Sequence, residues 1–213
     1  PETLYCAISD LGICPCAWMG TRRIISVSSF GFLNIFSAAL SAATGKKSVL
    51  LRRTLSRIIR FLQPQTLTKE RGLKGAEQLD GPVRYIFSIA SGMMVNQHSD
   101  IHNTLRILQQ TSSVQAIVLT DIFMTPSARN ADLLLPAPSF FETDNICPPW
   151  AGEDYLLYNH APLSSLFGTR LELDWLTNVS RLLGIEGEFC EGRYCLQDWL
   201  RASWEDFRKH LPG

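Results

Sequence analysis

VRYIFSIASGMMVNQHSDIHNTLRILQQTSSVQAIVLTD, residues 83–121, decides the fold. Its first eight residues, VRYIFSIA (83–90), are almost wholly apolar, β-branched or aromatic, and Ser91-Gly92 ends the run. A short apolar run closed by turn residues predicts a buried strand. From Asp100 to Gln110 the period changes: Ile101, Leu105 and Leu108 fall on one helical stripe, with Ser99 or Asp100 placed to cap it. QAIVLTD (115–121) is a second strand pattern and ends in an acid. Strand, glycine loop, helix and strand make a βαβ unit, so the fold class is α/β with a parallel sheet.

Such a unit has a chemical use. Open parallel sheets bind ligands beyond the carboxyl ends of their strands. Gly92 allows close backbone approach there, and a helix N-terminus offers free N–H groups to a phosphate. Asp121, at the tip of the second strand, is placed to accept hydrogen bonds from a ribose or a guanine edge. Neither a G-x-G-x-x-G nor a G-x-x-x-x-G-K-[ST] motif is present, and the same pattern also suits a sheet with no ligand.

Further along, Thr125 as N-cap with Pro126 at the first helical position predicts a helix start. ADLLLP (131–136) reads as a brief buried strand stopped by Pro136, and EDYLLY (153–158) as another strand. Glu172 to Gly184 and Leu196 to His210 carry helical periods, the first closed by its glycine.

Upstream the character differs. Residues 1–75 hold 11 Lys/Arg and 3 Asp/Glu, the remainder 9 and 17, so a net charge of zero is the sum of a basic and an acidic region. Residues 24–43 are uncharged between Arg22-Arg23 and Lys46-Lys47. This stretch reads as a buried or amphipathic segment, with a membrane span or twin-arginine export signal as the alternative. Residues 48–63 form an amphipathic basic helix by spacing, and 64–82 a polar loop or linker.

Composition narrows the function. A chain of 213 residues, 46% hydrophobic, is not disordered, and its zero net charge gives no support for a nucleic-acid partner. Cys6, Cys14, Cys16, Cys147, Cys190 and Cys195 contain no C-x-x-C pair and read mostly as buried or incidental thiols. His98 and His102 stand four apart, but Ser99 occupies the place where a metalloprotease helix needs Glu, so no metal ligand is assigned. Glu142 and Asp144 read as solvated loop carboxylates, with an acid/base pair as the alternative.

Asn96-Gln97-His98-Ser99-Asp100-Ile101, followed by IVLTDIFMTPSARNADLLLPAPSFFE (117–142), resembles the catalytic subunits of molybdopterin oxidoreductases. EFCEGRYCLQDWL (188–200) is similar to the branch of the anaerobic dimethyl sulfoxide reductase catalytic subunits. The resemblance covers about residues 80 to 204, roughly three fifths of the chain. Residues 7–13 resemble the family only faintly, and the composition shift near residue 76 is what a shifted reading frame or a decayed gene would leave.

The resemblance implies a Rossmann-like domain over residues 76–213 beside a basic region, 1–75, of irregular or helical fold. It implies a bis(molybdopterin guanine dinucleotide) molybdenum cofactor, one guanosine arm of which this domain cradles. Gly92 stands where many relatives carry Asn; Asn96, Gln97 and Asp100 match the family. Thr120 and Asp121 match its strand-end pair that recognises ribose or guanine, and Thr125 and Ser127 its helix-cap positions near the nucleotide. Asp132 and Pro136 read as packing and turn residues. The family's iron–sulfur cysteines, its molybdenum ligand and its second guanosine site are expected outside these residues. The chain is thus expected to be a fragment of an S-oxide or N-oxide reductase, inactive alone, or else a non-catalytic decayed paralogue or nucleotide-binding module. Implied partners are the rest of the catalytic subunit, an iron–sulfur electron-transfer subunit and a membrane anchor subunit. The implied location is the periplasmic face of the bacterial inner membrane, with the cytoplasm as the alternative.

Overall fold

The computed structural model describes residues 84–89, 93–96, 100–110, 114–147 and 155–209. The expectations for residues 1–75 and 64–82 lie outside them, as do those for Gly92, Gln97, His98 and Cys6, Cys14 and Cys16. The described residues divide between Pro136 and Ala137 into two compact units, inside the stretch expected to form one domain.

The first unit is the α/β unit. It contains β1 (Tyr85–Ile89), α1 (Met93–Asn96), α2 (Ile101–Gln110), β2 (Ala116–Asp121), a 3-10 turn at Ala128–Asn130 and β3 (Leu133–Pro136). The strands pair in parallel in the order β1-β2-β3. Tyr85 stands opposite Ala116 and Ile89 opposite Thr120; Val118 faces Leu133 and Asp121 faces Pro136. Ile86, Ser88, Ile117 and Leu119 are buried while Tyr85, Phe87, Ala116 and Val118 are half-buried. The two strands expected to be buried alternate over their first four residues, at the period of two that a pleat imposes, and bury consecutive residues only toward their ends, at Ile89 and Thr120.

β3 departs further from expectation. It was expected to be buried, yet Leu133 is 51% exposed. Among the described residues β3 is an edge strand, paired on one side only. An edge is also where Pro136, with no N–H to give, is tolerated. Asp132 sets its register: its N–H donates to the Ile117 carbonyl at 2.9 Å, and its carboxylate accepts the Ile117 N–H at 2.8 Å. The expected packing role of Asp132 is thus a clip between β2 and the start of β3.

The second unit contains β4 (Asn145–Cys147), β5 (Leu157–Asn159), α3 (Glu172–Leu182), α4 (Glu186–Cys190) and α5 (Leu196–Arg208). β4 and β5 pair antiparallel. The strand expected over 153–158 is therefore three residues long and shifted toward Asn159, where the pairing with β4 places it. The helices bury Leu173, Leu176, Phe189, Cys190, Trp199 and Leu200. α3 ends as its sequence requires. Gly184 takes φ +72°, the Gly184 N–H donates to the Arg181 carbonyl, and the Ile185 N–H reaches back to that of Ser180 at 2.9 Å. These two bonds are a Schellman motif, and a left-handed residue is needed to close it. The thiols split: Cys190 is buried, and burial pushes its pKa up, whereas Cys147 and Cys195 are exposed.

Candidate functional site

In a parallel sheet every strand ends on the same side, so the segments after β1 and β2 meet at one edge. Asp121 closes β2 there and is half-buried. Its Oδ1 accepts the Ile122 N–H at 2.8 Å and the Phe123 N–H at 3.4 Å, and its Oδ2 accepts the Thr125 hydroxyl at 3.3 Å. An aspartate bonding the backbone one and two residues on is a compact way to turn the backbone. Thr125 Oγ1 in turn accepts the Ala128 N–H at 3.2 Å, and the Thr125 carbonyl accepts the Arg129 N–H at 3.1 Å. Thr125 therefore caps as expected, although the regular helical geometry that follows is only the 3-10 turn at Ala128–Asn130. The loop so braced exposes Ile122, Phe123 and Met124, Phe123 to 71%.

A second connection joins the two loops. Ser127 is fully buried, and its Oγ accepts the Val95 N–H of α1 at 3.1 Å. Beside Val95, the Met94 side chain is 1% exposed. α1 was not expected; it begins at Met93 and places a helical turn ahead of α2.

Of the expected contact residues, Asp121, Thr125 and Ser127 are brought together in this network. Thr120 is only 2% exposed, buried like Leu119 before it, so β2 is covered on both faces at that point and Thr120 does not present its side chain to solvent. Asn96 ends α1. Asp100 is exposed and precedes α2 at φ 62°, left-handed where a capping residue is ordinarily extended; its carbonyl accepts the Thr104 N–H at 3.1 Å. Gly92 and Gln97 lie outside the described residues.

The second unit holds a polar organisation of its own, built on Glu142 and Asp144. Glu142 Oε1 accepts the Ser139 hydroxyl at 2.7 Å and the Ser139 N–H at 3.3 Å, and Oε2 accepts the Leu166 N–H at 3.0 Å and the Thr169 hydroxyl at 3.2 Å. These bonds, the Leu166 amide first, hold the Glu142 carboxyl below the ordinary carboxylate range. Asp144 Oδ1 accepts the Ala161 N–H at 2.8 Å and lies 3.0 Å from His160 Nδ1. The Ala161 amide first, then His160, lowers its pKa as well. Burial, then the Asp144 charge, raises that of the Tyr158 phenol. Both carboxylates are held ionised by fixed donors, which suits a staple and not a general acid. Glu142 and Asp144 are therefore bonded into the fold and are not the solvated loop carboxylates expected from the sequence. Ser139-x-x-Glu142 has the spacing of a capping box, the one sequence signal for this pairing. Val95 carries no such signal, because its contribution is a backbone N–H.

Among the described residues no three His, Cys, Asp or Glu side chains are grouped to hold a metal ion, and no helix is long and apolar enough to cross a membrane.

The family model for molybdopterin oxidoreductases matches residues 26–147, more than half of the chain. The match reaches upstream of residue 76 into the basic stretch, which by its residues alone carries little family character. Dimethyl sulfoxide reductase DmsA of Escherichia coli (strain K12) is 30% identical over 154 residues, 70% of this chain and 18% of that protein. Dimethyl sulfoxide reductase DmsA of Haemophilus influenzae is 31% identical over 160 residues, 73% of this chain and 19% of that protein. The chain spans less than a fifth of the length of these relatives. With the motif at 117–142 built into a parallel sheet and its following loop, and with the family model matching over that stretch, the chain belongs to the molybdopterin oxidoreductase family, in the branch of the dimethyl sulfoxide reductase catalytic subunits.

Proposed function

We propose that this chain binds one guanosine arm of a bis(molybdopterin guanine dinucleotide) cofactor, as part of a molybdenum-dependent reductase of S-oxides or N-oxides. The observation that carries the reading is the braced loop from Asp121 to Ala128 at the carboxyl edge of the parallel sheet. Its donor and acceptor set fits a nucleoside. A carboxylate offers about four acceptor sites, and Asp121 uses three on its own loop, which leaves capacity for a ribose hydroxyl or a guanine N–H. Exposed Ile122, Phe123 and Met124 offer apolar surface to the face of a base. Asp100, Asn96, Gln97 and Gly92 belong to the same proposed site through the order of the chain after β1. Thr120, buried on β2 next to Asp121, belongs to the proposed site as support and not as a ligand contact.

When bound, the molybdenum group supplies the two-electron chemistry that removes an oxygen atom from the substrate. This chain's share is to hold and orient the nucleotide end. We assign the rest of the catalytic subunit, an iron–sulfur subunit and a membrane anchor as partners, at the periplasmic face of the bacterial inner membrane. The 213-residue chain alone is expected to reduce no S-oxide.

Titration of the chain with GDP, a probe for the guanosine arm, tests the reading. Saturable binding, with amide shifts in the NMR spectrum at Ile122 to Thr125 and a weaker response to ADP, is the expected result. No GDP binding, or shifts confined to other segments, refutes it.

A further inference from the structure

We propose that Ser127 is a positioning residue, a buried clamp that ties α1, after β1, to the loop after β2 and so sets how the two lie against each other at the carboxyl edge of the sheet. The inference rests on the reading of that edge as the guanosine site, and it moves Ser127 from ligand contact to support. Ser127 is fully buried, so its hydroxyl does not face a ligand arriving from solvent. Its partner is a backbone group 32 residues away, the Val95 N–H at 3.1 Å.

Why that bond matters follows from helix physics. α1 has four residues, too few to stand alone, and the first N–H groups of any helix lack partners within it. Val95 is the third of them, and Ser127 acts as its cap from a distant segment. Met94, buried next to it, adds an apolar anchor but no direction. The hydrogen bond supplies the direction, since it demands alignment of donor and acceptor.

Ser127 is itself held in place. Pro126 restricts the backbone before it, and the Ala128 N–H after it donates to Thr125 Oγ1, whose own hydroxyl donates to Asp121. Asp121, Thr125, Ser127 and Val95 thereby form one connected support. A displacement of the Asp121 loop carries α1 with it, and the reverse also holds. Ser127 acts on the site through Val95, not by touching the ligand.

The test compares Ser127→Ala, Ser127→Thr and a control, Ser180→Ala, in the 213-residue chain. Ser180 is also fully buried, with its Oγ donating to the Thr177 carbonyl at 2.8 Å, but lies in the second unit. Two readouts are taken: amide exchange at Val95 by NMR, which needs no ligand, and GDP affinity. Loss of one net hydrogen bond predicts Val95 exchange faster by roughly fivefold to tenfold in Ser127→Ala, with GDP affinity weakened by a similar factor. Ser127→Thr keeps the oxygen and restores both, and Ser180→Ala changes neither. Unchanged Val95 exchange in Ser127→Ala overturns the clamp. Faster exchange with unchanged GDP affinity overturns the positioning role alone. Absence of GDP binding by the wild-type chain overturns that role together with the proposed function.

Discussion

Two loop clusters in this chain use the same chemistry on different length scales. In the first unit, among the described residues, Asp121 accepts hydrogen bonds from Ile122, Phe123 and Thr125, all within four residues of itself. In the second unit Glu142 accepts from Ser139 on one side and from Leu166 and Thr169 on the other, segments up to 27 residues apart. Asp144 likewise reaches Ala161 and, at 3.4 Å, Gln197 on α5. A locally satisfied carboxylate shapes its own turn and keeps an acceptor site to offer. A carboxylate filled from distant segments is a staple with nothing left to give. In the proposed reading, then, side-chain type does not separate a binding group from a structural one; the origin of its partners does.

The harshest test of the second cluster removes what it stands on. α5 carries both Gln197 and Trp199, and Trp199 is fully buried. Trp199→Ala is expected to cost about 3–5 kcal/mol in urea unfolding. A loss under about 1 kcal/mol means that α5 does not anchor this unit.

A crossed pair then sharpens the contrast. Asp121→Asn removes a charge-assisted acceptor and is expected to weaken GDP binding about tenfold or more while leaving the urea midpoint near wild type. Glu142→Gln is expected to do the reverse, lowering the midpoint with GDP affinity unchanged. Equal effects of the two substitutions on both readouts dissolve the distinction.

Acid gives a smaller, reversible version. Glu142 and Asp144 have folded-state pKa values below their unfolded ones. In that window the unfolded chain binds more protons, so their contribution is fully present above the unfolded pKa and is lost as pH falls through the folded value. Amide exchange at Leu166 and Ala161, the two amides they hold, is expected to accelerate below about pH 4 once intrinsic rates are corrected. Protection that persists at low pH argues against carboxylate stapling.

The mildest change is Gly184→Ala. The left-handed φ of Gly184 makes an alanine there costly by about 1–2 kcal/mol, with open space around the new methyl. A neutral result means that the α3 terminus relaxes out of its Schellman geometry.

Much of the first unit is legible in the residues alone. The strand runs at 83–90 and 115–121 foretell β1 and β2 to within two residues, since apolar β-branched runs bounded by turn residues have few other uses. The stop of α3 at Gly184 is equally plain. The ribbon of β4 and β5 is less so, because strands of three residues display no period and are defined only by each other. α1 escapes notice for a related reason: four residues carry no helical pattern, and a bond from Ser127 supports them.

The sequence by itself determined the α/β class, the parallel order implied by its crossovers, the family and the capping roles of Thr125 and Gly184. All of these depend on patterns within a few residues or on a motif preserved in linear order. Only the tertiary structure decided that Thr120 is buried while Asp121 is half-open, that Ser127 grips Val95, and that Glu142 and Asp144 gather donors from distant loops. Those outcomes depend on which segments meet in space, and hydrogen-bond partners separated by dozens of residues leave no local period for a sequence to display.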